Sequence, residues 1–242
     1  MTQTLNPVSN KSTQLLHLGL VDYQRGWDYQ TRLFEEILAI KKQNRERTDG
    51  GHQPTPNYLL LCEHPHVYTL GKSGDEKNLL IPVEKLSSVG ATFYRINRGG
   101  DITYHGPGQL VVYPVIDLEN FFTDIHRYMR SLEEAVIQTL ATFGIEGGRL
   151  PGFTGVWLEG ERPDRARKIC AMGVKTSRWV TLHGLALNVN PDLSYFNYIV
   201  PCGIENKAVT SMQKELNREL PMVEVQQELV RQLARTFEFI LY

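Results

Sequence analysis

Cys202 is the residue whose neighbours best suit a nucleophile. It stands in Ile199-Val200-Pro201-Cys202-Gly203-Ile204. Proline stiffens the approach, and glycine leaves room for a second molecule and exposes a backbone N–H beside the thiol. A free thiol with a pKa near ~8.5 is only a few per cent ionised at pH 7, so it needs an adjacent cation or base. Lys168, His105 and His183 can supply one. Lys168 opens the apolar run Ile169-Cys170-Ala171-Met172-Gly173-Val174, and His183 lies in Leu182-His183-Gly184-Leu185-Ala186-Leu187. Spacing alone does not choose between a Cys/Lys and a Cys/His pair. Each residue also has a plain reading: a packed thiol, a lysine at the exposed end of a strand, histidines satisfied in a core.

The second chemical feature is Arg98-Gly99-Gly100-Asp101-Ile102-Thr103-Tyr104-His105-Gly106-Pro107-Gly108-Gln109. Such glycine and proline density is wrong for a helix or a sheet interior and suits a tightly bent loop that another molecule can approach. The same stretch carries Arg, Asp, Thr, Tyr and His. It runs into Leu110-Val111-Val112-Tyr113-Pro114-Val115-Ile116, an apolar β-branched run that reads as a buried strand. A polar loop anchored to a rigid strand is a common way to hold a site, although a plain surface turn has similar composition.

Two patterns do not carry chemistry. Gly71-Lys72-Ser73 ends like a phosphate-binding loop, but His66 stands where that motif needs its first glycine. Cys62, His64 and His66 alternate as metal ligands on one strand face would, but Pro65 interrupts the strand and no fourth ligand follows. No metal and no cofactor is expected.

These residues need positioning elements. Residues 15–20 read as a first strand, with Asp22 capping a helix whose Tyr23, Trp27, Phe34, Ile37 and Leu38 form a core-facing stripe. Residues 45–56 form a loop; residues 58–62, 67–70 and 91–96 read as strands. Tyr128, Leu132, Val136 and Leu140 mark a helix over 125–143, and Val225, Leu229, Leu233 and Phe237 an amphipathic C-terminal helix. Residues 155–158 form a short strand, and 168–174 and 181–189 a pair joined by a turn near Thr176, Ser177 and Arg178. Strands mixed with few helices, without βαβ alternation, predict an α+β fold around a mixed or antiparallel sheet flanked by helices.

The 242 residues suit one domain over 14–242, after a flexible tail over 1–13. A net charge of -1 argues against bulk nucleic-acid binding. No apolar run reaches membrane-spanning length, so no membrane partner is expected. Three cysteines do not make a disulfide framework, which predicts a reducing, cytoplasmic setting.

Several spaced motifs in one order make the chain recognisable. Glu63-His64-Pro65 with Tyr68-Thr69-Leu70-Gly71, the Arg98–Gln109 stretch, Lys168-Ile169, Gly173, His183-Gly184-Leu185-Ala186-Leu187-Asn188 and Pro201-Cys202-Gly203-Ile204 resemble the lipoyl(octanoyl) transferase family, octanoyl-(acyl carrier protein):protein N-octanoyltransferases, from about Leu18 to about Phe237. The resemblance implies the fold of the lipoate and biotin ligase catalytic domain. It implies that Cys202 carries the acyl group as a thioester and that Lys168 lowers the thiol's pKa and shuttles a proton. It implies an acyl site lined by Arg98, Gly99, Gly100, Asp101, Ile102, Thr103, Tyr104 and His105, by Ala171, Met172 and Gly173, and by Gly184, Leu185 and Ala186.

The implied reaction takes an octanoyl or lipoyl group from acyl carrier protein to a lysine of the lipoyl domains of 2-oxoacid dehydrogenase complexes or of the glycine cleavage H protein, without ATP. An ATP-dependent lipoate–protein ligase, a lipoyl amidotransferase and a non-catalytic acyl-carrier binder are the alternatives. Cys170 departs from the family's small residue; on a regular strand it shares a face with Lys168 and can approach Cys202, so an inactivating Cys170–Cys202 disulfide is a hypothesis. Arg162, Arg165, Arg167, Lys168 and Arg178 form a candidate docking patch for an acidic carrier, or an ordinary solvated loop.

Overall fold

A computed structural model describes residues 9–48, 51–162, 164–200 and 208–242. The chain opens with β1 (Ser12–Leu20) and α1 (Tyr23–Glu46), the Asp22 carboxylate accepting from the Arg25 N–H at the helix start. Then follow β2 (Asn57–Glu63), β3 (Val67–Leu70), β4 (Thr92–Arg95), β5 (Ile102–His105), β6 (Gln109–Val115) and α2 (Ile125–Thr142). The second half holds β7 (Val156–Leu158), β8 (Arg167–Ser177), β9 (Val180–Asn188), β10 (Ala208–Val209), α3 (Met212–Leu216), α4 (Met222–Phe237) and β11 (Ile240–Leu241).

The main sheet runs β10-β8-β9-β6-β2-β1-β11, with β7 pairing β8. Its centre is antiparallel, while β1 pairs in parallel with β2 and β11, and β10 with β8. This is the mixed-sheet α+β architecture the sequence predicts. Strand β2 is apolar from Tyr58 to Cys62 because both faces are covered. Leu60 and Cys62 join Leu33, Phe34 and Ile37 of α1 in one core; Leu59 and Leu61 join Leu132 and Val136 of α2 and Leu229 and Leu233 of α4 in the other.

Three expectations change. Residues 102–105 are not loop: their β-branched and aromatic side chains form β5, in a second sheet ordered β4-β3-β5. The expected tail is structured from its ninth residue. Ser9 and Asn10 hydrogen-bond to Asn120, and β1 begins at Ser12 because the C-terminal β11 supplies its parallel partner. Residues 1–8 lie outside the described part. The 168–174 strand is longer than predicted, since β8 and β9 turn only at Arg178 and Trp179, both with positive φ.

In the last turns of α1, Lys41 is buried with its ammonium 2.5 Å from Asp117 and 2.9 Å from Glu119. Asp117 also accepts from Thr55 Oγ1 at 2.9 Å. Lys41→Met strands the buried carboxylate and is expected to lower stability by about 3–5 kcal/mol. Urea denaturation checks it, and adding Asp117→Asn should recover most of the loss; equal midpoints for wild type and Lys41→Met contradict the account.

Candidate active site

The loop after β4 is fixed from behind. Arg98 is 7% exposed, and its guanidinium donates to the Thr69 carbonyl at 2.8 Å, to Thr69 Oγ1 at 3.0 Å and to the Gly99 carbonyl at 3.0 Å. The Gly99 N–H reaches the Val174 carbonyl at 2.9 Å and ties the loop to β8. The run that mimics a phosphate loop packs here: the N–H groups of Gly71, Lys72 and Ser73 donate to the carbonyls of Asp101, Arg98 and Gly100. Glycine is required by this approach. A Cβ on Gly71 would sit 2.2 Å from the Gly100 oxygen, and one on Gly173 2.8 Å from the Gly99 oxygen. The Asp101 carboxylate accepts from the Ile102 N–H at 2.7 Å and from Asn78 Nδ2 at 2.6 Å.

Between this loop, β8 and β9 lies a cavity of about 540 Å³. Arg98, Gly99, Gly100, Asp101, Ile102, Thr103 and His105 line one side. Ala171, Met172 and Gly173 of β8 and Gly184, Leu185 and Ala186 of β9 line another, joined by Lys168. Tyr104 does not line it. Strand alternation turns Tyr104 into a core with Tyr68 and Leu70, its hydroxyl on His66 Nδ1 at 2.8 Å.

Lys168 is 9% exposed, with its ammonium 4.7 Å from the ring centre of buried Trp157. Sequence reading did not single out Trp157; its signal is faint, an aromatic on a three-residue strand. Cys170 does not share the lysine's face. A bulge pairs Trp157 with Lys168 but Val156 with Cys170, so Ile169 and Cys170 both enter the main core. Burial pushes the Cys170 thiol above its ordinary pKa.

Cys202 lies outside the described residues, as do Pro201, Gly203 and Ile204. The chain on either side is anchored: the Val200 N–H donates to the Asn78 carbonyl at 2.8 Å, and Val209 pairs with Lys168 in β10.

The histidines take distinct places. His64 donates from Nδ1 to the Val21 carbonyl at 2.8 Å and accepts the Tyr113 hydroxyl at Nε2 at 2.7 Å. His66 stacks on Tyr195 with ring centres 3.9 Å apart. The described residues contain no group of three or more potential metal ligands. His183 lies in β9 with φ +65°, its N–H on Gln30 Oε1 and its Nε2 donating to Asn97 Oδ1 at 3.1 Å. His105 lines the cavity with Nδ1 2.7 Å from Gln109 Oε1.

A scan against protein-family models matches the lipoyl protein ligase A/B catalytic domain over residues 22–234. The chain belongs to that family. Within it, the chain is 57% identical over 230 residues to the octanoyltransferase of Cytophaga hutchinsonii, covering 95% of this chain and 94% of that one. It is 59% identical over 232 residues to the octanoyltransferase of Flavobacterium psychrophilum, covering 95% and 98%. Its fold matches a crystal structure of lipoate-protein ligase A bound with ATP at a TM-score of 0.67 and 18% identity, covering 96% of this chain and 87% of that one. In this chain the glycine-rich stretch and the β8–β9 hairpin lie around one cavity.

The arginine patch does not form as one surface in this family member. Arg162, Arg165 and Arg167 gather around Glu159 at 3.8, 3.9 and 2.6 Å, and Arg167 also pairs with Glu215 at 2.6 Å. Arg178 sits beyond the opposite end of the 11-residue β8, roughly 33 Å along an extended strand.

Burial and the neighbouring cations pull His105 and His183 down to about 3. The unfolded chain protonates near the ordinary histidine value while the native state stays neutral. Their contribution is therefore complete above pH ~6.5 and is lost as pH falls toward 3, about 2 kcal/mol per histidine by pH 5. The urea midpoint is expected to drop between pH 7 and pH 5, and the His105→Gln/His183→Gln double variant to flatten the slope. A wild-type midpoint that stays level contradicts native neutral imidazoles.

Proposed function

We propose that this chain is an acyltransferase of protein lipoylation that moves an octanoyl group onto a lysine of a lipoyl domain. The finer reading takes octanoyl-acyl carrier protein as the donor, lipoyl domains of 2-oxoacid dehydrogenase complexes and the glycine cleavage H protein as acceptors, and Cys202 as the thioester carrier. The observation that supports it best is a buried lysine, Lys168, on the wall of an apolar cavity closed by a glycine loop. The octanoyltransferase names of relatives aligned over nearly the whole chain support the same reading.

The chemistry has two displacements. The Cys202 thiolate attacks the donor thioester, a C–S bond forms, and the carrier thiol leaves with a proton. The acceptor amine then attacks the enzyme thioester, the C–N bond forms, and the proton lost by nitrogen ends on sulfur. Thioester exchange is near neutral and amide formation is downhill, so no nucleotide is needed. The Lys168 ammonium stabilises the thiolate and relays the proton, and the Trp157 face holds that ammonium in place. Backbone N–H groups near the reacting carbonyl can each lower the barrier by about 3 kcal/mol. Arg98 serves as the buried anchor of the loop, and Ala171, Gly173, Gly184 and Ala186 leave room for an alkyl chain.

Intact mass spectrometry after mixing with octanoyl-acyl carrier protein is expected to show one octanoyl adduct on wild type and none on Cys202→Ser. Lys168→Ala should slow adduct formation by ~10²-fold or more, and Trp157→Leu by roughly tenfold. An adduct that persists in Cys202→Ser removes the thioester. Lipoate-dependent ATP–pyrophosphate exchange by the wild type would convert the reading to a ligase.

A further inference from the structure

A chain of hydrogen bonds behind the cavity fixes which nitrogen of His105 carries its proton. The Thr210 carbonyl accepts from Asn188 Nδ2 at 2.9 Å, which leaves Asn188 Oδ1 to accept from Gln109 Nε2 at 2.8 Å. The second N–H of Gln109 goes to the Tyr104 carbonyl at 3.2 Å. With both N–H bonds committed, Gln109 presents only Oε1, 2.7 Å from His105 Nδ1. An acceptor there places the proton on Nδ1 and leaves a lone pair on Nε2. His105 is 8% exposed, stacks on Tyr23 with ring planes 12° apart, and lines the cavity. Among the described residues Nε2 meets no donor. Burial, aided by His64, Arg98 and His183, keeps the ring neutral, so it does not act by giving or taking a proton near pH 7.

The partner for such a lone pair follows from the groups in the reaction. An alkyl chain offers it nothing, and a thioester carbonyl is itself an acceptor and is repelled. An N–H donor fits, and the donor at the reacting carbon is the incoming amine. We propose that His105 Nε2 receives the N–H of the acceptor's lysine amine and aims its nitrogen lone pair at the acyl carbon, with Gln109 and Asn188 as positioning residues that lock the imidazole tautomer.

This rests on the acyl-transfer reading and deepens it by separating the two displacements. As the amine attacks, the C–N bond forms and the C–S bond breaks. The proton released by nitrogen goes to sulfur, and His105 holds its hydrogen bond without changing its own proton count. The carrier's pantetheine amide is a second N–H donor, and the two half-reactions tell them apart.

The test uses the full chain. Acylation by octanoyl-acyl carrier protein and transfer from the isolated octanoyl-enzyme to a lipoyl domain are timed separately by quenched mass spectrometry. In His105→Phe, transfer should fall about thirtyfold more than acylation, and His105→Gln, whose amide oxygen can replace Nε2, should recover most of the difference. Equal losses in both steps, a larger loss in acylation, or a glutamine variant no better than phenylalanine overturns the proposal.

Nitrogen-15 NMR of histidine-labelled wild type needs no variant to fold. It is expected to show protonated Nδ1 and bare Nε2 at His105 from pH 5 to 8, and the opposite tautomer overturns the proposal. A wild type that never forms an octanoyl adduct overturns the acyl-transfer reading instead, while the tautomer is still judged by NMR.

Discussion

The buried guanidinium of Arg98 is the constraint on which the site depends. It holds the Arg98–Asp101 backbone against β3 through Thr69, and the same backbone reaches β8 through Gly99 and Val174. Two sheets meet at that seam. Neither Gly71 nor Gly173 has space for a side chain there, because carbonyl oxygens of Gly100 and Gly99 occupy it. The cavity exists because one loop is pinned at both ends while its glycines give up volume.

The surrounding polar groups are arranged by desolvation. His64, His105 and His183 are all held below the ordinary histidine range, chiefly by burial. Each has its proton directed by a fixed neighbour, a carbonyl at Val21 or a side-chain oxygen at Gln109 or Asn97. His105 and His183 give the cavity a neutral, directional lining beside the buried cations of Arg98 and Lys168, the latter over an aromatic face. That contrast suits a site in which a thiolate and an amine are handled next to an alkyl chain.

The glycine-rich stretch and the hairpin carrying Lys168 were legible as candidate-site material from residue types alone, and they line one cavity. Strand β5 was not, because its four residues look like part of the loop until β3 offers edge hydrogen bonds. The same limit hid the sorting of Tyr104 and His105 to opposite sides, which needs a strand assignment. Regular alternation also misplaced Cys170, since a bulge depends on the partner strand β7 and leaves no mark in β8 itself. Arg178 falls away from the arginine cluster for a related reason: it is close in number to Arg167 but separated from it by the length of an extended strand.

The sequence by itself determined the family motifs, the mixed α+β class and the set of residues available for chemistry, because apolar periodicity, glycine density and side-chain type are local properties. Only the tertiary structure decided which of them meet. It set Lys168 on Trp157, aimed Arg98 inward and fixed His105 through Gln109 and Asn188. Those outcomes depend on distances between segments far apart in the chain, which burial and hydrogen-bond satisfaction resolve only when the whole fold closes.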